Sequence, residues 1–93
     1  MKIQQLENEK KGEFYYEVDG SKLGLMTYSY AGSDKIIIDH TEVDESLKGQ
    51  GVGYKLVEAA VLFARENNLK IMPLCPFANA VFRKRSEYND VRF

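Results

Sequence analysis

The sequence contains a single cysteine and a single histidine among its 93 residues. One cysteine excludes an internal disulfide and a cysteine zinc cluster, and one histidine removes most other metal sites, so we expect no bound metal. A chain without disulfides suits a reducing compartment, which predicts a cytoplasmic protein. No apolar run is long enough to cross a membrane, and the first twelve residues, MKIQQLENEKKG, lack the apolar segment of a signal peptide.

An excess of charge of either sign is also missing. The chain has 13 Lys and Arg residues and 14 Asp and Glu residues, which gives a formal net charge of −1. This balance does not favour general binding to nucleic acid or to a membrane surface, and we expect neither as a partner. The basic cluster at 83–85 is interpreted as the solvated end of a helix. The length and the hydrophobic content of 44% predict a single domain over residues 1–93, as a monomer or a weak dimer.

Three stretches rich in β-branched and aromatic residues predict an antiparallel meander. They cover residues 13–18, 22–31 and 35–43, and the turns Asp19-Gly20-Ser21 and Gly32-Ser33-Asp34 separate them. Asp-Gly supplies the positive φ angles that a hairpin turn needs. The polar start of the chain is either a short edge strand or a frayed terminus.

Helical periodicity replaces the strand pattern from Gly51 or Val52 to about Asn67. The apolar run 70–75 (KIMPLC) follows at once. A strand that is reached through a helix usually lies parallel to the preceding strand, so we expect 70–75 beside 35–43.

Pro73 lies inside this last strand and lacks a backbone donor, which predicts that the two parallel strands part near it. A second amphipathic helix is predicted over 77–85, with Phe77, Ala80 and Val81 facing inward. The fold class is therefore α/β: an antiparallel meander, a helix after a glycine elbow, a parallel neighbouring strand and a short C-terminal helix.

The glycine elbow is the segment Lys48-Gly49-Gln50-Gly51-Val52-Gly53, between the third strand and the first helix. Such a turn directs free backbone N–H groups and the positive end of a helix dipole at an anion. The alternative is that small residues only permit a tight turn. A Rossmann fingerprint fails because Tyr54 stands where glycine is required, and no Gly-Lys-Ser/Thr triplet completes a Walker loop. The pattern favours a phosphate site.

This elbow, following Thr41-Glu42-Val43 at the end of an Ile-rich strand, resembles the acetyl-CoA signature Gln/Arg-x-x-Gly-x-Gly/Ala of the GNAT N-acetyltransferase superfamily. Lys48 replaces the Gln or Arg and meets phosphate as a point charge without a fork. Asn79-Ala80 and Phe82-Arg83 resemble the family's second motif in compressed form. The chain ends soon after the second helix, and Cys75-Pro76-Phe77 resembles a segment of the small, truncated branch of this superfamily.

The resemblance implies acetyl-CoA as co-substrate, held by the elbow amides at its pyrophosphate and by the backbone of the preceding strand at its pantetheine. The residues expected to bind it are Thr41, Glu42, Val43, Lys48, Gly49, Gln50, Gly51, Val52, Gly53, Tyr54 and Asn79. The implied reaction is acetyl transfer to an amine or another small nucleophile, and the acceptor amine belongs to a small molecule or a protein. The alternatives are a CoA-binding or interaction module without turnover, and a protein that dimerises through its Tyr-rich hairpin.

Cys75 and His40 are the expected catalytic residues. Cys75 lies before a helix start, where the dipole favours the thiolate, although a buried free cysteine is often only a small apolar residue. In the resembling branch this cysteine is a proposed nucleophile. Period-two alternation puts His40 on one face with Ile36, Ile38 and Glu42, from which it is expected to approach Cys75 as a general base. Glu42 is the second candidate base, and a solvated strand residue is the alternative for each.

Overall fold

The computed structural model describes all residues from Met1 to Phe93. Its elements are β1 (Gln4–Glu7), β2 (Lys11–Val18), β3 (Ser21–Tyr30), β4 (Lys35–Val43), a 3-10 turn (Glu45–Leu47), α1 (Val52–Glu66), β5 (Lys70–Pro73), α2 (Pro76–Lys84) and a second 3-10 turn (Ser86–Tyr88). The five strands form one sheet in the order β1-β2-β3-β4-β5. The first four strands pair antiparallel, and β4 pairs parallel with β5. The predicted α/β fold is confirmed.

The core lies between the sheet and its two helices. Ile36 and Ile38 of β4 are fully buried, and so are Leu56 and Val57 of α1. An aromatic group fills the middle of this layer, where the Phe14 ring lies 5.2 Å from the Tyr28 ring. Burial of this continuous apolar layer is the main force that holds α1 and α2 against one face of the sheet.

Several element ends differ by one or two residues from the sequence prediction. The strand β2 begins at Lys11 rather than at residue 13, because its pairing with β3 extends to Ser29. The strand β5 ends at Pro73, and α2 begins at Pro76, a favoured first helical residue. Neither helix has the length and apolar character that a membrane crossing requires.

The inward face of α2 also differs from the prediction. Phe82 is buried at 1% exposure together with Val81, whereas Phe77 is 37% exposed. The prediction that Phe77 faces the core is therefore wrong. The helix begins one residue earlier than expected and presents Ala78, Val81 and Phe82 to the core instead.

A β-bulge interrupts the alternation of β4. Thr27 pairs with His40 while Tyr28 pairs with Ile38, so Asp39 is an extra residue without a partner on β3. An extra residue moves every later side chain to the opposite face. His40 is accordingly exposed, although Ile36 and Ile38 are fully buried. The prediction that His40 shares their face is wrong.

Candidate functional site

The cleft begins where β4 and β5 part. Their pairing ends at Ile38 opposite Pro73, and the N–H groups of Leu74 and Cys75 both donate to the Ile38 carbonyl, at 3.2 and 3.1 Å. The chain therefore turns away while β4 continues to Val43 without a neighbour on that side. This parting was predicted from Pro73 and is confirmed.

The unpaired edge of β4 presents backbone groups to the gap. The Asp44 N–H donates to the Leu23 carbonyl, so the backbone groups of Asp44 point towards β3. Alternate residues of an antiparallel strand direct their N–H and C=O groups to the same side. The backbone N–H and C=O groups of Thr41 and Val43 therefore point away from β3, into the gap beyond the end of β5. An extended ligand in this gap would find backbone hydrogen-bond partners there.

Glycines shape the elbow for two different reasons. Gly49 and Gly51 have φ angles of +81° and +73°, which L-residues with a side chain rarely adopt. Gly53 is needed for close approach, because a Cβ there would lie 2.5 Å from Cζ of Phe77. The elbow thus turns sharply and lets the ring of α2 pack against the first turn of α1.

The elbow leaves a row of N–H groups free. Within it, the Lys48 and Gln50 N–H groups donate to the carbonyls of Glu45 and Leu47, at 3.0 and 3.1 Å. The first helical bond of α1 is from Lys55 N–H to the Gly51 carbonyl. Five N–H groups at the positive end of α1 donate to no protein acceptor, and they belong to Gly49, Gly51, Val52, Gly53 and Tyr54.

These amides border a cleft of about 620 Å³. Twelve residues line it: Thr41, Val43, Asp44, Glu45, Leu47, Lys48, Gly49, Gly51, Val52, Gly53, Tyr54 and Phe77. Lys48 is exposed and makes no ion pair, so its charge is available to a ligand. The Asp44 carboxylate already accepts hydrogen bonds from the N–H and the hydroxyl of Ser46. Repulsion by Asp44 and Glu45 leaves the glycine side of the cleft as the favourable place for a diphosphate.

The aromatic wall of the cleft joins the two helices. The rings of Tyr54 and Phe77 pack edge to face with centroids 5.8 Å apart. The Arg85 guanidinium lies 5.0 Å from the centroid of the Tyr54 ring. These contacts fix Tyr54 beside the elbow, where its side chain lines the cleft.

Cys75 lies at the N-terminus of α2, behind the cleft. Its side chain is buried at 4% exposure, and its thiol donates to Oγ1 of Thr41 over 3.4 Å. Burial raises the pKa of the Cys75 thiol, but the Thr41 hydroxyl and the N–H groups of Ala78, Phe77 and Thr41 outweigh burial, so this pKa lies below its ordinary value. The surroundings therefore favour a thiolate.

His40 and Glu42 do not meet Cys75. Their side chains form an exposed pair, with Nε2 of His40 3.5 Å from Oε2 of Glu42, and neither lines the cleft. The bulge at Asp39 is the cause, because it places both side chains on the face of β4 opposite the helices. The structure thus joins Cys75 to Thr41 rather than to His40.

Two other expected ligand residues lie outside the cleft lining. Oδ1 of Asn79 accepts from Nη2 of Arg92 at 3.1 Å, which directs this side chain to the C-terminal segment. Gln50 is exposed to solvent. Four lining residues were not expected there, and they are Asp44, Glu45, Leu47 and Phe77. Phe77 was expected to face the core, although the Cys-Pro-Phe segment already placed it two residues from the expected nucleophile Cys75.

Gly53→Ala tests the packing between the elbow and Phe77. In the wild-type chain the added Cβ displaces the Phe77 ring and breaks its contact with Tyr54, and we expect the free energy of unfolding to fall by about 1 kcal/mol. In a Phe77→Ala background the same change should stabilise the helix by up to ~1 kcal/mol, since alanine exceeds glycine in helix propensity. Urea unfolding of the wild-type chain, the two single variants and the double variant measures both effects. Equal changes in the free energy of unfolding in the two backgrounds would contradict a close contact between residue 53 and the Phe77 ring.

The fold and the cleft define an α/β domain with free backbone amides at a glycine elbow, and comparison with known proteins gives the family. The chain belongs to the GCN5-related N-acetyl-transferase family, whose sequence model matches residues 13–91. The predicted superfamily is thereby confirmed. The family and the fold support acetyl transfer as the general reaction.

The chain is also similar to particular proteins. The chain is 30% identical over 67 residues to Protein NATD1 of Xenopus tropicalis, covering 71% of this chain and 62% of that protein, so it spans less than two thirds of this relative. It is 43% identical to a GCN5-like protein of Staphylococcus aureus solved by NMR, with a TM-score of 0.78 over 99% of this chain and 87% of that one.

A third comparison concerns the fold alone. A GNAT family acetyltransferase of Elizabethkingia anophelis, solved with acetyl-CoA bound, is 17% identical with a TM-score of 0.60. The match covers 69% of this chain and 42% of that one.

Proposed function

We propose that this protein binds acetyl-CoA in the cleft and transfers the acetyl group to an amine of a small molecule or protein. The observation that carries this proposal is the row of five free N–H groups between Gly49 and Tyr54, at the positive end of α1. Free amides at a helix N-terminus favour a phosphate group, and Lys48 adds a positive charge beside them.

The pantetheine chain has a matching place along β4. It would run from the elbow along the edge that β5 leaves open, with its amides paired to the backbone of Thr41 and Val43. The side chain of Glu42 is directed to the other face, so only its backbone belongs to this segment. A ligand held in this way ends near Thr41 and Cys75, which lie within hydrogen-bond distance of each other.

Cys75 is the proposed nucleophile of a two-step transfer. Its thiolate attacks the thioester carbonyl, a carbon–sulfur bond forms, and the CoA thiolate leaves. The acceptor amine then attacks the acetyl-cysteine, the Cys75 thiolate leaves again, and the proton lost by the amine passes to a base or to the CoA thiolate. The lowered pKa of the Cys75 thiol supports the first step, because it raises the thiolate fraction at neutral pH.

His40 and Glu42 are proposed as bases for the second step rather than the first. Both are exposed on the face of β4 opposite the helices, and Nε2 of His40 lies 3.5 Å from Oε2 of Glu42. They can take a proton only from an acceptor that reaches the gap from that face. Asn79 would enter the cofactor site only after its side chain releases Arg92.

A CoA-binding module without turnover is the second candidate function. The observation that favours it is the burial of Cys75 at 4% exposure, behind a cleft that it does not itself line. In that case the same elbow would hold CoA, and no acetyl group would reach an acceptor.

Calorimetric titration with acetyl-CoA, followed by an assay for released CoA thiol with a panel of primary amines, separates these functions. We expect saturable binding and CoA release that depends on an amine. Binding with no release for any amine would support the binding module and contradict transfer. A failure to bind would contradict both.

A further inference from the structure

The bulge of β4 decides which side chain of this strand contacts Cys75. With regular alternation, His40 would follow Ile36 and Ile38 on the helix-covered face, and Thr41 would be on the other. Because Asp39 is an extra residue, Thr41 occupies the helix-covered face instead. Its hydroxyl oxygen lies 3.4 Å from Sγ of Cys75.

We propose that Thr41 is the positioning residue for the Cys75 nucleophile, donating its hydroxyl to the thiolate and holding it at the inner end of the cleft. This inference rests on the acetyl transfer proposed above. Thr41 lines the cleft, whereas Cys75 does not, so Thr41 is the member of this pair that borders the ligand space. It is also the one side chain that forms a hydrogen bond with Cys75.

This arrangement removes the need for a histidine base in the first step. The Cys75 proton passes to solvent before acetyl-CoA reacts, and Thr41 keeps its own proton throughout. In the thiolate form the hydroxyl turns from acceptor to donor, and the N–H groups at the start of α2 assist it. When sulfur bonds to the acetyl carbon it loses its charge, and the hydroxyl is free to turn again.

The test is the pH dependence of Cys75 alkylation by iodoacetamide, measured on the full chain without acetyl-CoA. Thr41→Val keeps the shape of the side chain but removes the donor, and we expect the midpoint to rise by about one pH unit, a tenfold loss of thiolate at neutral pH. Thr41→Ser should keep the midpoint within a few tenths of a unit. Thr27→Val, on β3 and with no contact to Cys75, controls for the loss of a strand hydroxyl.

An unchanged midpoint in Thr41→Val would overturn the inference, as would a shift of equal size in Thr27→Val. A rise of the alkylation midpoint in His40→Gln, with no change in Thr41→Val, would make His40 the partner of Cys75 and would also overturn the inference. Because the assay contains no acetyl-CoA, a shifted midpoint in a protein that transfers nothing would refute the proposed function and leave the thiolate contact established. Thermal unfolding of each variant shows whether it is folded, and Thr41→Ser provides the comparison if Thr41→Val is not.

Discussion

Cys75→Ala is expected to reduce acetyl transfer by on the order of 10³-fold or more, since removal of a covalent nucleophile removes the low-barrier route itself. Acetyl-CoA affinity should change little, because the proposed diphosphate contacts are at the elbow and Cys75 does not line the cleft. The measurement is amine-dependent CoA release. The wild-type chain incubated with acetyl-CoA alone should also gain the mass of one acetyl group, located on Cys75 by peptide mapping.

Cys75→Ser is the matched variant for this prediction. It keeps the size of the side chain and a hydrogen bond to Thr41, but a hydroxyl is a far weaker nucleophile than a thiolate, so it should be nearly as inactive as the alanine variant. Transfer at the wild-type rate by both variants, with no acetyl group on the wild-type protein, would show that the amine attacks acetyl-CoA directly.

Gly51→Val should weaken acetyl-CoA binding by on the order of 10²-fold. Gly51 has φ +73°, a conformation that costs an L-residue about 1–2 kcal/mol and is least tolerated by a β-branched one. The elbow relieves this strain by refolding, which turns its free N–H groups away from the cleft. Loss of two charge-assisted hydrogen bonds of about 1.5 kcal/mol each corresponds to that factor. Calorimetric titration measures it.

Gly32→Val provides the control for backbone strain. Gly32 has φ +75° and lies in the turn between β3 and β4, at the end of the sheet remote from the elbow. A Cβ there would meet only the Asp34 carboxylate, at 3.8 Å. The variant should lose similar stability in urea but keep its affinity for acetyl-CoA. An equal loss of affinity in both variants would mean that Gly51 acts through general stability and not through its position.

The sequence was most informative where local pattern and turn chemistry agree. The bounds of β4, Lys35–Val43, were predicted without error, and α1 begins at Val52 as expected. The elbow could be predicted because positive φ angles at Gly49 and Gly51 and a close approach at Gly53 all demand glycine. The helix α1 ends at Glu66, close to its expected end at about Asn67, and Asn68 follows with a φ angle of +54°.

The errors concern features that depend on pairing between distant residues. The bulge at Asp39 arises from the register of β4 against β3, and the sequence Ile38-Asp39-His40 carries no glycine or proline to mark it. One unpaired residue was enough to exchange His40 for Thr41 beside Cys75. The outward position of Phe77 likewise depends on the space that Gly53 leaves on a different helix.

All of the proposed chemistry depends on a diphosphate being received by the peptide nitrogens at the start of α1. An amide NMR titration with acetyl-CoA observes these nitrogens directly. We expect the largest shifts at Gly49, Gly51, Val52, Gly53 and Tyr54, with inorganic pyrophosphate moving the same signals in the same direction and Gly32 unaffected. Saturable binding that leaves the elbow signals in place and shifts others would contradict the account.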